Sequence, residues 1–363
     1  MRKRVLAFCL ALTLLFSLAG CGAASDSAPQ KTDGLQKYTV TWFDVFDTVT
    51  TVLGYAESES EWQAQMDALH ADLTAYHQLF DIYHSYDGLT NLRTVNQHAA
   101  KAPVSVDRRI LDLLTEAKEM YAITNGQMNI AQGRMYRLWH EKREAGLDDP
   151  ANASLPDADK LAQAAEHGRM EDLVLDEQAG TVYFADQDLQ LDVGSVGKGY
   201  AVEMVAQAAE QRGLSSALIS VGGNLRAIGH KPDGSKWTGG AQNPWQGQPG
   251  MPEDPYLRVV ELENCSLVTS GDYQRFYEVD GKRYHHLIDP DTLYPAEFYS
   301  AVSVLTPDSG LADCLSTGLF CMEPEEGFAL VESLENVEAM WMFPDGTIRY
   351  SSGFESHCHP VTE

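Results

Sequence analysis

Residues 269–295, TSGDYQRFYEVDGKRYHHLIDPDTLYP, bring hydroxyls, carboxylates, arginines and two adjacent histidines into one short span. An imidazole can take or give a proton near neutral pH, so this span is a candidate for acid–base work. The surrounding pattern says how it is held. Arg275 to Val279 and Arg283 to Ile288 are β-prone runs joined by Asp280-Gly281, a pair suited to a type I′ hairpin turn. The hairpin delivers His285, His286 and Asp289 to one rim. Side chains alternate along a strand, so the histidines face opposite sides and only one enters a given site. The pair taken alone reads equally well as one packed ring and one solvated ring.

Two further segments offer complementary chemistry. In LDVGSVGKGYA, residues 191–201, Gly194, Gly197 and Gly199 let backbone amides approach a ligand, and the following helix turns its positive end toward an anion. Lys198 adds a charge suited to a phosphate. The spacing is neither a Walker loop nor GxGxxG, and a glycine turn built only for tight packing fits as well. In ADCLST, residues 312–317, Asp313 and Thr317 lie four apart and share a helix face. A carboxylate and a hydroxyl aimed at one spot suit Mg²⁺, which completes its sphere with water and substrate phosphates. An isolated Asp/Thr pair of this kind is more often solvated or self-capping.

The elements that position these groups follow from periodicity. Trp62, Met66, Leu69, Leu73, Tyr76 and Phe80 recur at helical steps behind Ser58-x-x-Glu61, a capping box. A second helix covers Ile110 to Thr124, with Asp107 near its start and Asn125-Gly126 at its end. Leu189 to Val193 reads as a strand, 194–199 as a loop, Tyr200 to Arg212 as a helix closed by Gly213, and Ala217 to Val221 as a strand broken by Gly222-Gly223. Beyond Leu257 the chain is mainly β, with helices near 309–322 and 325–334. These elements predict an α+β fold, a mixed, largely antiparallel sheet with packed helices, in a single domain over 38–363.

The N-terminus speaks to location. Arg2, Lys3 and Arg4 precede an apolar run from Val5 to Leu18, and Leu18-Ala19-Gly20-Cys21 follows. This is the pattern of a bacterial lipoprotein signal over 1–20, leaving Cys21 as the lipidated residue of an extracytoplasmic, membrane-anchored protein. The apolar run is short of the roughly 20 residues a span needs. Residues 21–37 then read as a lipidated N-terminus and flexible tether. The chain carries 26 basic and 53 acidic residues; losing three basic residues with the signal leaves 23 against 53, a net charge of −30. Such a surface excludes nucleic acid as a partner and favours cations. Cys265, Cys314, Cys321 and Cys358 remain, without Cys-x-x-Cys spacing, and read as small core residues rather than a disulfide framework.

Taken in order, LDVGSVGKGYA, ISVGGN, TSGDYQRF, HHLIDPDTLYP and ADCLST resemble the successive signatures of the FAD:protein FMN transferases, the ApbE lipoprotein family. The resemblance runs from about Tyr38 to the C-terminal strands and implies a T-fold-related architecture. It implies that Asp192 and Lys198 contact FAD, that the Ser195 carbonyl, Asp313 and Thr317 hold Mg²⁺, and that His286, rather than His285, is catalytic. Gln127, Met128 and Asn129 fall on a flavin-contacting segment, and Leu287 follows the catalytic histidine. Three positions depart from the family pattern: Leu293 stands where Gly is usual, Asn129 where Asp is expected, and Phe46-Asp47-Thr48 where Met-Gly-Thr is usual.

The implied reaction moves FMN from FAD to a Ser or Thr hydroxyl of an exported acceptor flavoprotein and releases AMP. Acceptors in the family include subunits of redox-driven ion pumps. His286, at an expected near-neutral pKa, would take the hydroxyl proton. This chain holds no Ser-Gly-Ala-Thr acceptor sequence of its own, so modification would occur in trans. The same residues would serve an Mg²⁺-dependent FAD pyrophosphatase. A lipid-anchored flavin carrier, or a solute-binding lipoprotein, leaves the metal pair and His286 without a purpose.

Overall fold

The computed structural model describes residues 34–359. Cys21, the expected signal and most of the expected tether lie outside the described residues, and the first strand begins at Gln36, inside the segment read as tether. Eight strands form the main sheet: β1 (Gln36–Trp42), β2 (Thr50–Ala56), β3 (Ala217–Val221), β4 (Asn224–Ile228), β5 (Ser266–Gly271), β6 (Ala301–Thr306), β7 (Glu338–Met342) and β8 (Ile348–Tyr350). They lie side by side in chain order and every neighbouring pair is antiparallel.

Helices α1 (Glu59–Phe80), α2 (Leu92–His98), α3 (Arg108–Ile123), α4 (Gly133–Asp148), α5 (Ala158–Ala165), α6 (Gly197–Gln211), α7 (Ser309–Cys321) and α8 (Pro324–Ser333) accompany it. The sheet is covered on both faces, and β6 shows this most plainly because all of its residues are buried. Ala301 and Leu305 pack with Trp237, Val260 and Met340 from the hairpin 237–242/256–262 and from β7. Val302 and Val304 face Leu315 and Leu319 of α7. Each valine or leucine among them, fully buried, contributes about 1.5–3 kcal/mol.

Local chemistry decides the element ends. Ser58 caps α1, its hydroxyl accepting from Glu61 N–H at 3.2 Å, while the Glu61 carboxylate takes the N–H of Glu57, one residue outside the expected box. Asp107 caps α3, and Asn125 and Gly126 close that helix with φ of 54° and 87°. The Asp280-Gly281 turn has φ of 50° and 78°, the left-handed pair a type I′ turn requires.

The strand expected at Leu189 to Val193 does not form. Its backbone is satisfied instead by the Asn96 side chain, which donates to Leu191 O at 2.9 Å and accepts from Leu191 N–H at 2.8 Å. Asp192 N–H turns to Ile130 O at 2.9 Å. Only an isolated bridge between Gln132 and Gln190 runs parallel, so among the described residues the parallel part of the expected mixed sheet reduces to that contact. All four remaining cysteines are free; Cys314 and Cys321 are buried in the core and Cys265 and Cys358 half-buried.

Candidate active site

A cavity of about 340 Å³ opens where the 194–199 loop, α7, the edge of α4 and the hairpin 276–285 meet. Its wall includes Asp192, Ser195, Lys198, Asp313, Thr317 and His286, so residues from distant parts of the chain converge as expected.

Asp313 is the centre of the floor. One carboxylate oxygen accepts the Gly199 N–H at 2.8 Å and the other lies 3.5 Å from the Lys198 ammonium. That amide bond has a consequence one turn earlier. In a continuing helix Gly199 N–H would bond the carbonyl four residues back, that of Ser195; with the amide given to Asp313, no backbone amide among the described residues pairs with the Ser195 carbonyl. Asp313, Thr317 and Ser195, the last with its carbonyl unpaired, all line the cavity. This is a hard-oxygen donor set, and it fits Mg²⁺.

Close helix packing is what brings these donors together. A Cβ added at Gly199 would collide with Asp313 Cβ and with the Ser309 carbonyl, so α6 and α7 meet at a contact only glycine permits. Glu203 fastens the same two helices, accepting the Ser309 N–H at 2.9 Å while paired with Arg226 at 2.9 Å. Lys198 also donates to the side-chain amide oxygen Oδ1 of Asn224. Burial lowers the Lys198 pKa, with Asp313 opposing the shift. Loss of hydration raises the Asp192 carboxyl, and the Gly194 N–H bonded to it at 2.9 Å opposes that rise.

The hairpin separates the two histidines by role. His285 Nε2 bonds the Ala296 carbonyl at 2.9 Å and its Nδ1 accepts from Leu287 N–H at 3.2 Å, so both nitrogens are used by the fold. His286 Nδ1 is buried without a partner. Burial first, then Arg275, pushes the His286 pKa down to about 3, well below the near-neutral value expected from the sequence. The ring is thus neutral at pH 7, with a lone pair free. Asp289 shapes the rim, its carboxylate accepting from Asp291 N–H at 2.8 Å and from the Thr292 hydroxyl at 2.9 Å.

The flavin-contact segment divides. Gln127 donates to Asp291 at 2.8 Å and lines the cavity. Asn129 lines it too, but its amide is committed to Gly168 O and Ala131 N–H, at 3.0 and 2.9 Å. The Met128 side chain is fully buried and packs with the core helices, so of this residue only the backbone is left to face a ligand. Leu287 is 5 % exposed and belongs to both core and wall. Leu293 sits at φ 65° and Asp47 at φ 49°, so both departures from glycine occupy left-handed backbone.

Sequence reasoning passed over Tyr83, Tyr136, Trp139, His140, Arg143 and Arg275, all in the cavity wall. Tyr136, Trp139, His140 and Arg143 recur at helical steps along α4, and that stripe was the available signal. Tyr83 is the exposed aromatic of the group, on a turn tied down by Asp81, which accepts from Tyr83 and His84 N–H at 2.6 and 2.9 Å. A separate group, His167, Asp186 and Asp188, is close enough to hold an ion, but Arg134 pairs with Asp188 and His167 with Asp186.

The sequence matches the ApbE family over residues 44–341. It is 36% identical over 278 residues to the FAD:protein FMN transferase of Treponema pallidum, covering 72% of this chain and 73% of that one. It is 31% identical over 280 residues to the FAD:protein FMN transferase of Escherichia coli K12, covering 76% and 74%. In fold it is similar to the ApbE protein of Thermotoga maritima, with a TM-score of 0.77 and 24% identity over 89% of this chain and 100% of that one. The flavin transferase ApbE from Vibrio cholerae gives a TM-score of 0.74 at 23% identity over 89% and 99%. With the family match spanning most of the described residues and a relative 36% identical over more than two thirds of its length, this chain belongs to the ApbE family.

Proposed function

We propose that this chain transfers the FMN half of FAD to a Ser or Thr hydroxyl of an exported partner protein, releasing AMP. The observation that carries this reading is the convergence, on one cavity, of an oxygen donor set, a lysine and a histidine with an open nitrogen. The names of the relatives at 36% and 31% identity support the same activity.

Asp313, Thr317 and the Ser195 carbonyl would hold Mg²⁺, which when bound supplies charge neutralisation at the pyrophosphate oxygens. Lys198 steadies the same oxygens from the neighbouring turn. His286 Nδ1 accepts the proton of the incoming hydroxyl. The hydroxyl oxygen forms a bond to the FMN phosphorus, the bond from that phosphorus to the bridging oxygen breaks, and the bridging oxygen leaves on AMP with the electron pair. An anionic pyrophosphate beside the ring favours its protonated form and so raises its basicity when it is needed. Tyr83, Tyr136 and Trp139 offer aromatic surface for the isoalloxazine.

A lipid anchor at Cys21 on the extracytoplasmic face completes the proposal, supported by the Leu-Ala-Gly-Cys sequence behind a basic and apolar leader. The test is to incubate the full chain with FAD, Mg²⁺ and an acceptor carrying Ser-Gly-Ala-Thr. AMP release coupled to acceptor modification, and lost on chelation, is expected. AMP and free FMN with an unmodified acceptor would instead make the chain a pyrophosphatase.

A further inference from the structure

The hairpin that leads to His286 has a second side. There a cavity of about 590 Å³ is lined by residues 282–285, by much of the 289–299 segment, and by Asp272 and Pro344. That volume falls among small-molecule sites, roughly 300–1,000 Å³. Tyr284 and His285 line this cavity and the active-site cavity alike, so the strand leading to His286 is their shared wall.

Almost every charged group in the second wall is already met from within the chain. Lys282 pairs with Glu297 at 2.6 Å, and Arg283 with Glu278 at 3.4 Å. His285 uses both ring nitrogens, and the Asp289 carboxylate accepts from Asp291 N–H and the Thr292 hydroxyl. Asp272 is the exception. Its N–H bonds Ser300 O at 3.0 Å, but its half-buried carboxylate has no ion pair and no hydrogen bond to another residue among the described residues. Loss of hydration pushes that carboxyl up to about 6, with the more distant Arg283 opposing the rise. It is therefore ionised at neutral pH without a counter-charge in contact. Tyr299, 1 % exposed, adds to the wall a residue whose buried hydroxyl has no partner. Polar groups left in this state cost stability unless something from outside meets them.

The rest of the wall decides what that something is. Tyr294, Pro295, Phe298 and Pro344 give it rings and apolar surface. A single unpaired carboxylate among such groups suits neither an anion nor a hard metal ion, which takes several oxygens. It suits an ammonium, drawn both to the carboxylate and to the faces of aromatic rings. The wall already holds one ammonium in this way, since Lys282 Nζ lies 5.4 Å over the Tyr284 ring. We propose that the second cavity binds a primary alkylammonium carried on a compact apolar body, with Asp272 as its counter-ion. The inference does not depend on the transferase reading, because binding is measured without turnover.

The test is calorimetric titration of the full chain at pH 8 with phenethylammonium and with 2-phenylethanol, which shares its skeleton but carries no charge. Asp272 is then ionised and an alkylammonium still protonated. The amine should bind at least about tenfold more tightly than the alcohol, and Asp272→Asn should bring the two within about twofold. The amine should still bind with FAD and Mg²⁺ at saturation. A readout that needs no variant is the amide NMR spectrum, in which Asp272, Tyr294 and Phe298 should shift on adding the amine. Equal affinity for amine and alcohol, no saturable binding of either, or a preference that survives in Asp272→Asn would overturn the proposal. So would displacement of the amine by FAD, or shifts confined to the 194–199 loop, since either would place the amine in the active-site cavity.

Discussion

His286 and Asp313 carry separable duties, and single substitutions distinguish them. His286 offers one unpartnered nitrogen to the cavity, so His286→Ala should lower transfer by about 10²–10⁴-fold while FAD still binds, measured by AMP release and flavin fluorescence. Loss of FAD binding alone would make the ring a contact residue. Asp313→Ala removes the one carboxylate among the expected donors. Mg²⁺-dependent turnover should fall by about 10³-fold, the equivalent of the several kcal/mol a Lewis acid supplies, in a protein whose circular dichroism is unchanged. The histidines also mark an acid limit. Burial lowers the pKa of His285 to about 4 and that of His286 to about 3, against 6.5 when unfolded. The unfolded chain therefore binds more protons between pH 6.5 and pH 3, and stability should fall as pH drops through that window. Urea midpoints at pH 7 and pH 5 check the sign; an equal or higher midpoint at pH 5 would contradict it.

At the scale of elements, the site depends on α6 and α7 touching at Gly199. Gly199→Ala should destabilise the fold by about 1–3 kcal/mol and weaken Mg²⁺ binding by about tenfold, because the Asp313 carboxylate is displaced with its helix. Calorimetric Mg²⁺ titration of the folded variant checks this, and unchanged affinity would refute the packing account. Glu116 of α3 tests the surroundings of the same helix start. Its carboxyl is raised to about 8 chiefly by burial, with Asp308 adding repulsion, and one oxygen has no partner. The folded state holds a proton that the unfolded state releases above 4.5, so stability should decline as pH rises toward 8. Glu116→Gln should recover about 1–2 kcal/mol at pH 8.

The elements were legible where local chemistry acts alone. The Ser58 and Asp107 caps, the Asp280-Gly281 turn and the periodic faces of α1 and α3 could be read from the sequence. Leu189 to Val193 could not, because its backbone partner is the side chain of Asn96, far away in sequence. The same distance hid Arg143 and Arg275. Nothing in either segment alone says that α4 packs on the hairpin, and only that packing places the two guanidiniums around His286.

At the scale of the whole molecule, an antiparallel sheet with both faces covered supports a cavity whose functional groups come from its loops and helix ends. The proposed anchor adds a spatial restriction: the full chain should sediment with membranes, and Cys21→Ser should release it into the soluble fraction. A variant that stays membrane-bound would contradict lipidation at that residue. The transferase proposal itself is tested most directly by the intact mass of an acceptor bearing a Ser or Thr target after incubation with the full chain, FAD and Mg²⁺. The account predicts a gain equal to one esterified FMN, with an equal amount of AMP and no gain when the metal is chelated. FAD cleaved to AMP and free FMN, with the acceptor mass unchanged, would contradict it.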